Sequence, residues 1–225
     1  MSGVVGFRIR DVWPRPNATL LASFRDAASP QVADSMSRLG AMDSGIRPVW
    51  HSQRVIGAAI TVWCHAGDNL MIHKAIALAR PDDILVVNMQ GAISSAPFGE
   101  LLATSAVKSG IRAVIIDGSV RDVEALEALQ LPVYSRGVCP GGCNKDGGGE
   151  VGAIIACGGV AVRPGDIIVA DWDGVTVVPL EDAEAVAKAA VRKVASEAAR
   201  MEEIRAGVLV RPEIDEHLRQ LQIID

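Results

Sequence analysis

The chain has 225 residues, 49% of them apolar and 22% charged, with a net charge of −5. That balance suits one compact domain with a sizeable core and excludes a disordered chain. No basic cluster gives the footprint expected for nucleic acid, and no apolar stretch reaches membrane-spanning length.

Residues 1–17 contain Trp13-Pro14-Arg15-Pro16 and read as an irregular lead-in. Residues 1–11 lack the apolar region of a signal peptide. Residues 20–27 read as a short helix. Ser29-Pro30 puts an N-cap before a proline at the first helical position, which starts a second helix toward Leu39. A loop with Gly45 and Pro48 follows over 40–52. Residues 54–64 are rich in Val, Ile and Thr, which favours a strand. Leu70, His73 and Ala77 fall at helical spacing within 69–79. Arg80-Pro81-Asp82-Asp83 then turns the chain into a strand at Ile84.

The stretch 84–122 organises the rest. Residues 84–89 read Ile-Leu-Val-Val-Asn-Met, and a loop ending Pro97-Phe98-Gly99-Glu100 leads into a helix over 101–109. Residues 111–117 are apolar and β-branched, and Gly118-Ser119-Val120-Arg121-Asp122 follows. Strand, helix and strand spell a βαβ unit, and such units make parallel strands. In open α/β sheets ligands sit beyond the carboxyl ends of the strands. Gly99-Glu100 and Arg121-Asp122 both fall there. Two carboxylates, one guanidinium and a helix N-terminus should therefore converge.

A helix over 123–129 and a short strand over 132–134 come next. Residues 135–152 form a glycine-heavy loop with Cys139-Pro-Gly-Gly-Cys143 and Asp146-Gly-Gly-Gly149. A loop that long is functional or mobile. Short strands follow over 153–157, 160–163, 167–170 and 175–179, separated by tight turns. Residues 181–205 make a long helix ended by Gly207, and the tail 208–225 carries Pro212 and room for a last short helix. The sum is a single α/β domain over 1–225, with a mixed sheet, βαβ units and helices packed outside.

Each motif has a plain structural reading beside the functional one. Arg121-Asp122 could be a solvated pair capping a helix. At a strand exit, Arg also offers a fork for a carboxylate, and Asp122 offers oxygen ligands for a hard cation. Gly99-Glu100-Leu101-Leu102 could be an acidic helix start, and the same free N–H groups can hold a carboxylate. Cys139 and Cys143 lack a partner pair at zinc spacing, and Cys157 and His65 are too scattered to supply one. With no signal region, the cysteines point to free thiols in a reducing cytoplasm. The nucleotide-binding glycine patterns and the serine-hydrolase elbow are missing from the sequence.

Gly99-Glu100-Leu101-Leu102 and Gly118-Ser119-Val120-Arg121-Asp122 resemble a known family. It is that of the class II pyruvate aldolases acting on 4-hydroxy-4-methyl-2-oxoglutarate and 4-carboxy-4-hydroxy-2-oxoadipate. The family also contains the protein inhibitor of ribonuclease E. Cys157-Gly-Gly-Val160, Pro164-Gly-Asp166 and Asp171-Trp-Asp-Gly-Val175 match too, and the likeness spans residues 29–207. The resemblance implies a phosphohistidine-swivelling-like fold in a homotrimer or homohexamer. It implies Asp122 as ligand of Mg²⁺ or Mn²⁺, with Glu100 as the second acidic group where the family usually has Asp. Arg121, Gly99 and the amides of Leu101 and Leu102 would hold pyruvate. It also implies a glutamate from a neighbouring subunit's C-terminal helix. Spacing to Arg205-Ala-Gly207 favours Glu197, with Glu202 and Glu203 as alternatives.

The chemistry agrees with these residue types. A divalent metal acts as a Lewis acid on a 2-oxo acid. Arg121 adds positive charge where an oxyanion grows. Glu100 or Glu197 could direct a metal-bound water to take the proton of the substrate hydroxyl. The expected reaction cleaves a 4-hydroxy-2-oxo diacid to pyruvate and a 2-keto acid, with oxaloacetate decarboxylation as a side activity. The competing expectation is a non-catalytic regulatory binder of the ribonuclease inhibitor type. A methyltransferase is a poorer third.

Overall fold

The computed structural model describes residues 2–225. A hairpin of β1 (Ser2–Val4) and β2 (Phe7–Ile9) comes first. The short helices α1 (Ala18–Ala22) and α2 (Ser29–Asp34) lead to the brief strand β3 (Arg47–Pro48). Strands and helices then alternate: β4 (Val55–Cys64), α3 (Leu70–Leu78), β5 (Asp83–Ala92), α4 (Glu100–Lys108), β6 (Ala113–Val120), α5 (Val123–Ala128) and β7 (Val133–Val138). Short strands follow: β8 (Gly149–Val151), β9 (Ile155–Cys157), β10 (Val160–Val162), β11 (Ile167–Asp171) and β12 (Gly174–Val178). A 3-10 turn at Leu180–Asp182 precedes the long α6 (Ala183–Arg205), and α7 (Pro212–Gln220) lies beyond it. Among the described residues, no helix is long and apolar enough to cross a membrane.

β4, β5, β6 and β7 are parallel neighbours in that order. Their connections are helical, as parallel neighbours require. The other edge of β4 is shared. Its entry half pairs antiparallel with β11 and its exit half antiparallel with β8. β2 runs parallel to β8, β12 antiparallel to β11, and β3 antiparallel to β7. The expected mixed sheet is therefore present.

Continuous apolar runs in β5 and β6 reflect burial on both faces. Leu85, Val87, Val114 and Ile116 pack with Ile72, Leu102 and Ala106 from the helical side. Ile84, Val86 and Ile115 face Ile155, Val162 and Ile168 on the other. On a third cluster, Ala183, Val186 and Ala190 of α6 cover Ile167, Val169 and Val178. The strands are thus clamped, and their exits are fixed in place. Only at those exits does pairing slip, with register shifts between Asn88 and Ala92 and between Ile116 and Ser119. The slips free backbone from the ladder where the helical connections begin.

Several sequence expectations need correction. The lead-in is not wholly irregular, because β2 adds to the edge of β8 and Gly6 turns the hairpin at φ +84°. The second helix stops at Asp34 and not near Leu39. Ser37 and Arg38 take left-handed backbone, and Arg38 N donates to Ala33 O at 2.8 Å. Its cap position is Ala28. The Ser29 hydroxyl instead donates to Asp171 at 2.6 Å, a buried long-range bond that outranks a local cap. The loop 40–52 contains β3. The loop 135–152 is shorter than expected, because β7 runs on to Val138 and β8 begins at Gly149. Gly149 belongs in that strand for space: a Cβ there would stand 2.5 Å from Trp63 O.

Candidate active site

Asp122 closes β6 in left-handed backbone, φ 56° and ψ 42°. Asp is one of the few side chains that tolerate this region. The turn aims its carboxylate away from its own helix, α5, and toward α4. Asp122 Oδ2 accepts the Glu100 backbone N–H at 3.0 Å. Arg121 N donates to Phe98 O at 3.0 Å. These two bonds stitch the exit of β6 to the loop that enters α4.

Gly99 sits at the closest approach. Its backbone is extended, φ −157°, so conformation does not demand glycine there. Space does: a Cβ would lie 2.3 Å from Asp122 Oδ2 and 2.8 Å from Arg121 Cγ. Arg121 Nε stands 3.5 Å from Asp122 Oδ2, with both side chains 41% exposed. The N–H groups of Leu101 and Leu102 lie in the first turn of α4, where no intrahelical carbonyl reaches them. The Leu101 side chain is exposed, and Leu102 is buried in the core. The structure thus brings Gly99, Glu100, Leu101, Leu102, Arg121 and Asp122 together, as the sequence predicts.

Two further walls adjoin this cluster: the loop within residues 135–152, expected from the sequence to wall the pocket, and the entry of α3, which was not expected. The loop after β7 folds back over the strand exits. Cys139 N donates to Val120 O at 2.9 Å, and Ala96 N donates to Gly141 O at 2.8 Å. Gly142 faces Arg121, with room for a Cβ only 3.1 Å from Nη1. Burial pushes the Cys143 thiol above its usual range. The Ser95 hydrogen bond and the Arg121 charge oppose that, while Asp68 adds to it. The second wall is the entry of α3. Asp68 accepts Leu70 N at 2.8 Å and Gly147 N at 2.7 Å. Asn69 N donates to Asn144 O at 3.0 Å, and Asn69 Nδ2 donates to Pro97 O at 3.0 Å. The Cys-Pro-Gly-Gly-Cys run marked this loop in the sequence. Nothing in its spacing said that it would lie beside Arg121.

Glu197 stands apart within the chain. Its Oε2 accepts Gln31 Nε2 at 2.6 Å, and its Oε1 lies 3.3 Å from Lys193. Glu202 pairs with Arg205. Glu203 meets Arg200 at 2.8 Å and Arg211 at 2.9 Å, which hold its carboxyl below the usual range. Asp117, on the opposite face of β6, binds Arg136 and accepts Gly158 N at 2.8 Å, so its role is to brace the strand exits.

Metal binding can be judged from the donors. Among the described residues, no three His, Cys, Asp or Glu side chains group to hold an ion. Asp122 still has an oxygen to offer: Oδ2 takes the Glu100 amide and Oδ1 has no bond among the described residues. Mg²⁺ characteristically takes one or two carboxylates, several waters and substrate oxygens. Asp122, one carboxylate with a free oxygen and a 41% exposed side chain, fits that mode and does not fit an all-protein cage. A separate groove of about 500 Å³ lies among Met36, Leu39, Val160 and Val186. Its walls are mainly apolar and none of the residues above line it, so it is separate from the strand-exit cluster.

The family model described as RraA-like, Aldolase/RraA, matches residues 29–177. A Halalkalibacterium halodurans protein named "Putative 4-hydroxy-4-methyl-2-oxoglutarate aldolase" is 36% identical over 189 residues, 84% of this chain and 90% of that protein. The crystal structure of Streptomyces coelicolor RraAS2, described as an unusual member of the RNase ES inhibitor RraA protein family, superposes with a TM-score of 0.74 at 25% identity. It covers 84% of this chain and 100% of that one. The RNA-processing inhibitor RraA from Thermus thermophilis gives a TM-score of 0.63 at 27% identity, over 68% of this chain and 93% of that one.

Proposed function

The chain belongs to the RraA-like Aldolase/RraA family, and on that premise we propose that it is a divalent-metal-dependent aldolase. It cleaves a 4-hydroxy-2-oxo diacid, of the 4-hydroxy-4-methyl-2-oxoglutarate or 4-carboxy-4-hydroxy-2-oxoadipate type, to pyruvate and a second 2-keto acid. The observation that carries this reading is the Asp122–Glu100 stitch. It sets one carboxylate, one guanidinium and the free N–H groups of a helix start around one spot.

Asp122 Oδ1, with Glu100 beside it, would hold Mg²⁺ or Mn²⁺. The ion when bound supplies Lewis acidity toward the 2-oxo acid. The Leu101 and Leu102 N–H groups bind the substrate's C1 carboxylate at the positive end of α4. Arg121 lies against the C2 oxygen and stabilises the negative charge that develops there. Cleavage begins when a base takes the proton of the 4-hydroxyl. The C3–C4 bond then breaks, C4 becomes a carbonyl, and the electron pair moves through C3 and C2 onto the C2 oxygen. Protonation at C3 completes pyruvate. Glu100 is the acid–base candidate within the chain. Glu197 of a neighbouring copy is the second, in a homotrimer or homohexamer. Oxaloacetate losing CO₂ develops charge on the same oxygen, so decarboxylation accompanies the aldolase activity.

The named RraA neighbours give a specific reason to keep a second reading, a regulatory binder without turnover. A coupled pyruvate assay separates the two. The aldolase reading requires turnover of a 4-hydroxy-2-oxo diacid with Mg²⁺ and its loss with EDTA. A panel of such acids and oxaloacetate that yields no pyruvate would leave the binder.

A further inference from the structure

The entry edge of the sheet, opposite the candidate active site, carries a second charged feature. Arg54 immediately precedes β4, Asp82 precedes β5 and Arg112 precedes β6. Since these strands are parallel neighbours, the three residues share one edge. Arg25, from the turn after α1, joins them around a pocket of about 370 Å³. Leu21 and Ile56 give that pocket an apolar wall. Along β6, from Ala113 to Val120, the two edges are roughly 25 Å apart at about 3.3 Å per residue.

The charges there are unbalanced. Three guanidiniums meet one lining carboxylate, Asp82, which binds Arg112 at 2.8 Å. Arg54 Nη1 donates to Arg25 O at 3.3 Å, and Arg54 Nε lies in an ion pair 3.6 Å from the next carboxylate, Asp171. Its oxygens already accept Ser29 N at 2.7 Å, Ser29 Oγ at 2.6 Å and Asp173 N at 3.1 Å. Among the described residues, no carboxylate pairs with Arg25. A surplus of about one positive charge thus lines one pocket of a chain whose net charge is −5.

We propose that the pocket formed by Arg25, Arg54 and Arg112 binds a short aliphatic dicarboxylate. Three guanidiniums around one pocket offer more than one carboxylate-binding position, and guanidinium forks hold carboxylates in planar pairs. The carbon chain between them lies on Leu21 and Ile56. An apolar spacer against an apolar wall is what separates this ligand from inorganic phosphate, which brings the charge alone. The site is independent of Arg121 and of any metal.

Equilibrium dialysis of radiolabelled succinate against the full-length chain, after EDTA treatment, tests this. Succinate has no 2-oxo group for the candidate active site. Saturable binding is expected, weakened about tenfold or more in Arg25→Ala and in Arg112→Ala, and unchanged in Arg121→Ala. Circular dichroism checks that each variant is folded. Phosphate should displace succinate only weakly. Four results would each overturn the proposal: no saturation at millimolar succinate, wild-type affinity in Arg25→Ala, loss of binding in Arg121→Ala, or phosphate competing as well as unlabelled succinate.

Discussion

Asp122 accepts the backbone N–H of Glu100 at 3.0 Å, so a residue just beyond the end of one parallel strand caps the helix that follows its neighbour. The carboxylate therefore has two roles on two oxygens. Oδ2 is structural and Oδ1 is free for a cation. Substitutions can separate them. Asp122→Asn keeps an oxygen for the amide and should keep near wild-type melting while losing metal-dependent turnover. Asp122→Ala loses both, and should also lose about 1 kcal/mol, the usual cost of a missing helix cap. Thermal denaturation beside a pyruvate assay checks the pair. An active Asp122→Ala would remove the proposed ligand.

Gly99 and Gly142 make contrasting predictions. A methyl group at Gly99 meets Asp122 Oδ2 at 2.3 Å and Arg121 Cγ at 2.8 Å, and that carboxylate is held by the Glu100 amide. Gly99→Ala should cost about 1–3 kcal/mol in strain and most of the activity. At Gly142 the same methyl meets the far end of Arg121 at 3.1 Å, and that guanidinium can swing aside. Gly142→Ala should leave stability alone and change mainly KM. Equal effects at both positions would show that the Gly99 contact is not decisive.

Arg121→Lys tests the fork against the charge. Lysine keeps one positive charge and loses the planar donor pair. Catalytic efficiency on the best diacid should fall roughly 10–100-fold with a normal far-ultraviolet spectrum. A lysine variant with the wild-type specificity constant would mean that charge alone suffices.

The cysteines differ in chemistry because they differ in burial. Burial, with Asp68 nearby, pushes the Cys64 thiol up to about 12, and Cys157 rises as well. Thiolate is the reactive form. Native protein at pH 9 should therefore alkylate at Cys139 and Cys143, with Cys64 and Cys157 protected until unfolding. The sign for stability follows. In the unfolded chain Cys64 ionises near the ordinary value, so its contribution is complete below about pH 8.5 and is lost as pH rises toward 12. Mass spectrometry of alkylated peptides reads the first point, and denaturant midpoints between pH 8 and 11 read the second.

How much of this was legible in the sequence depended on burial. Residues 84–89 and 111–117 are apolar on both faces because both faces are covered, so the βαβ unit could be read directly. The three-residue strands β1, β2 and β8 could not. They are too short to show a period, β2 and β8 find each other and β4 from far apart in the chain, and Gly149 weakens the signal further. At the site, strand-exit position alone pointed to Glu100, Arg121 and Asp122. The capping of α4 by Asp122 was hidden, because it depends on a left-handed turn in a residue that sequence reading places at the cap of its own helix. Asp68 and Asn69 were missed because their contacts are backbone groups, which leave no residue pattern.

The last prediction concerns the group that would complete the site. Within one chain Glu197 is occupied by Gln31 and Lys193 on the α2–α6 side. Glu203 is more tightly held, by two arginines, and Glu202 by one. Of the three, Glu197 alone has partners on no arginine, and a lysine or an amide releases a carboxylate more readily than a guanidinium fork does. Glu197 is therefore the one to test as a donor to a neighbouring copy. Glu197→Gln should lose most activity and keep its fold, since an amide can still meet Gln31. Mixing it with Asp122→Ala after dissociation and reassembly should restore part of the activity, because some interfaces then join two intact halves. Native mass spectrometry must first confirm mixed oligomers. Mixed oligomers as inactive as either parent would end the shared-site model, whereas a fully active Glu197→Gln would end only the choice of residue.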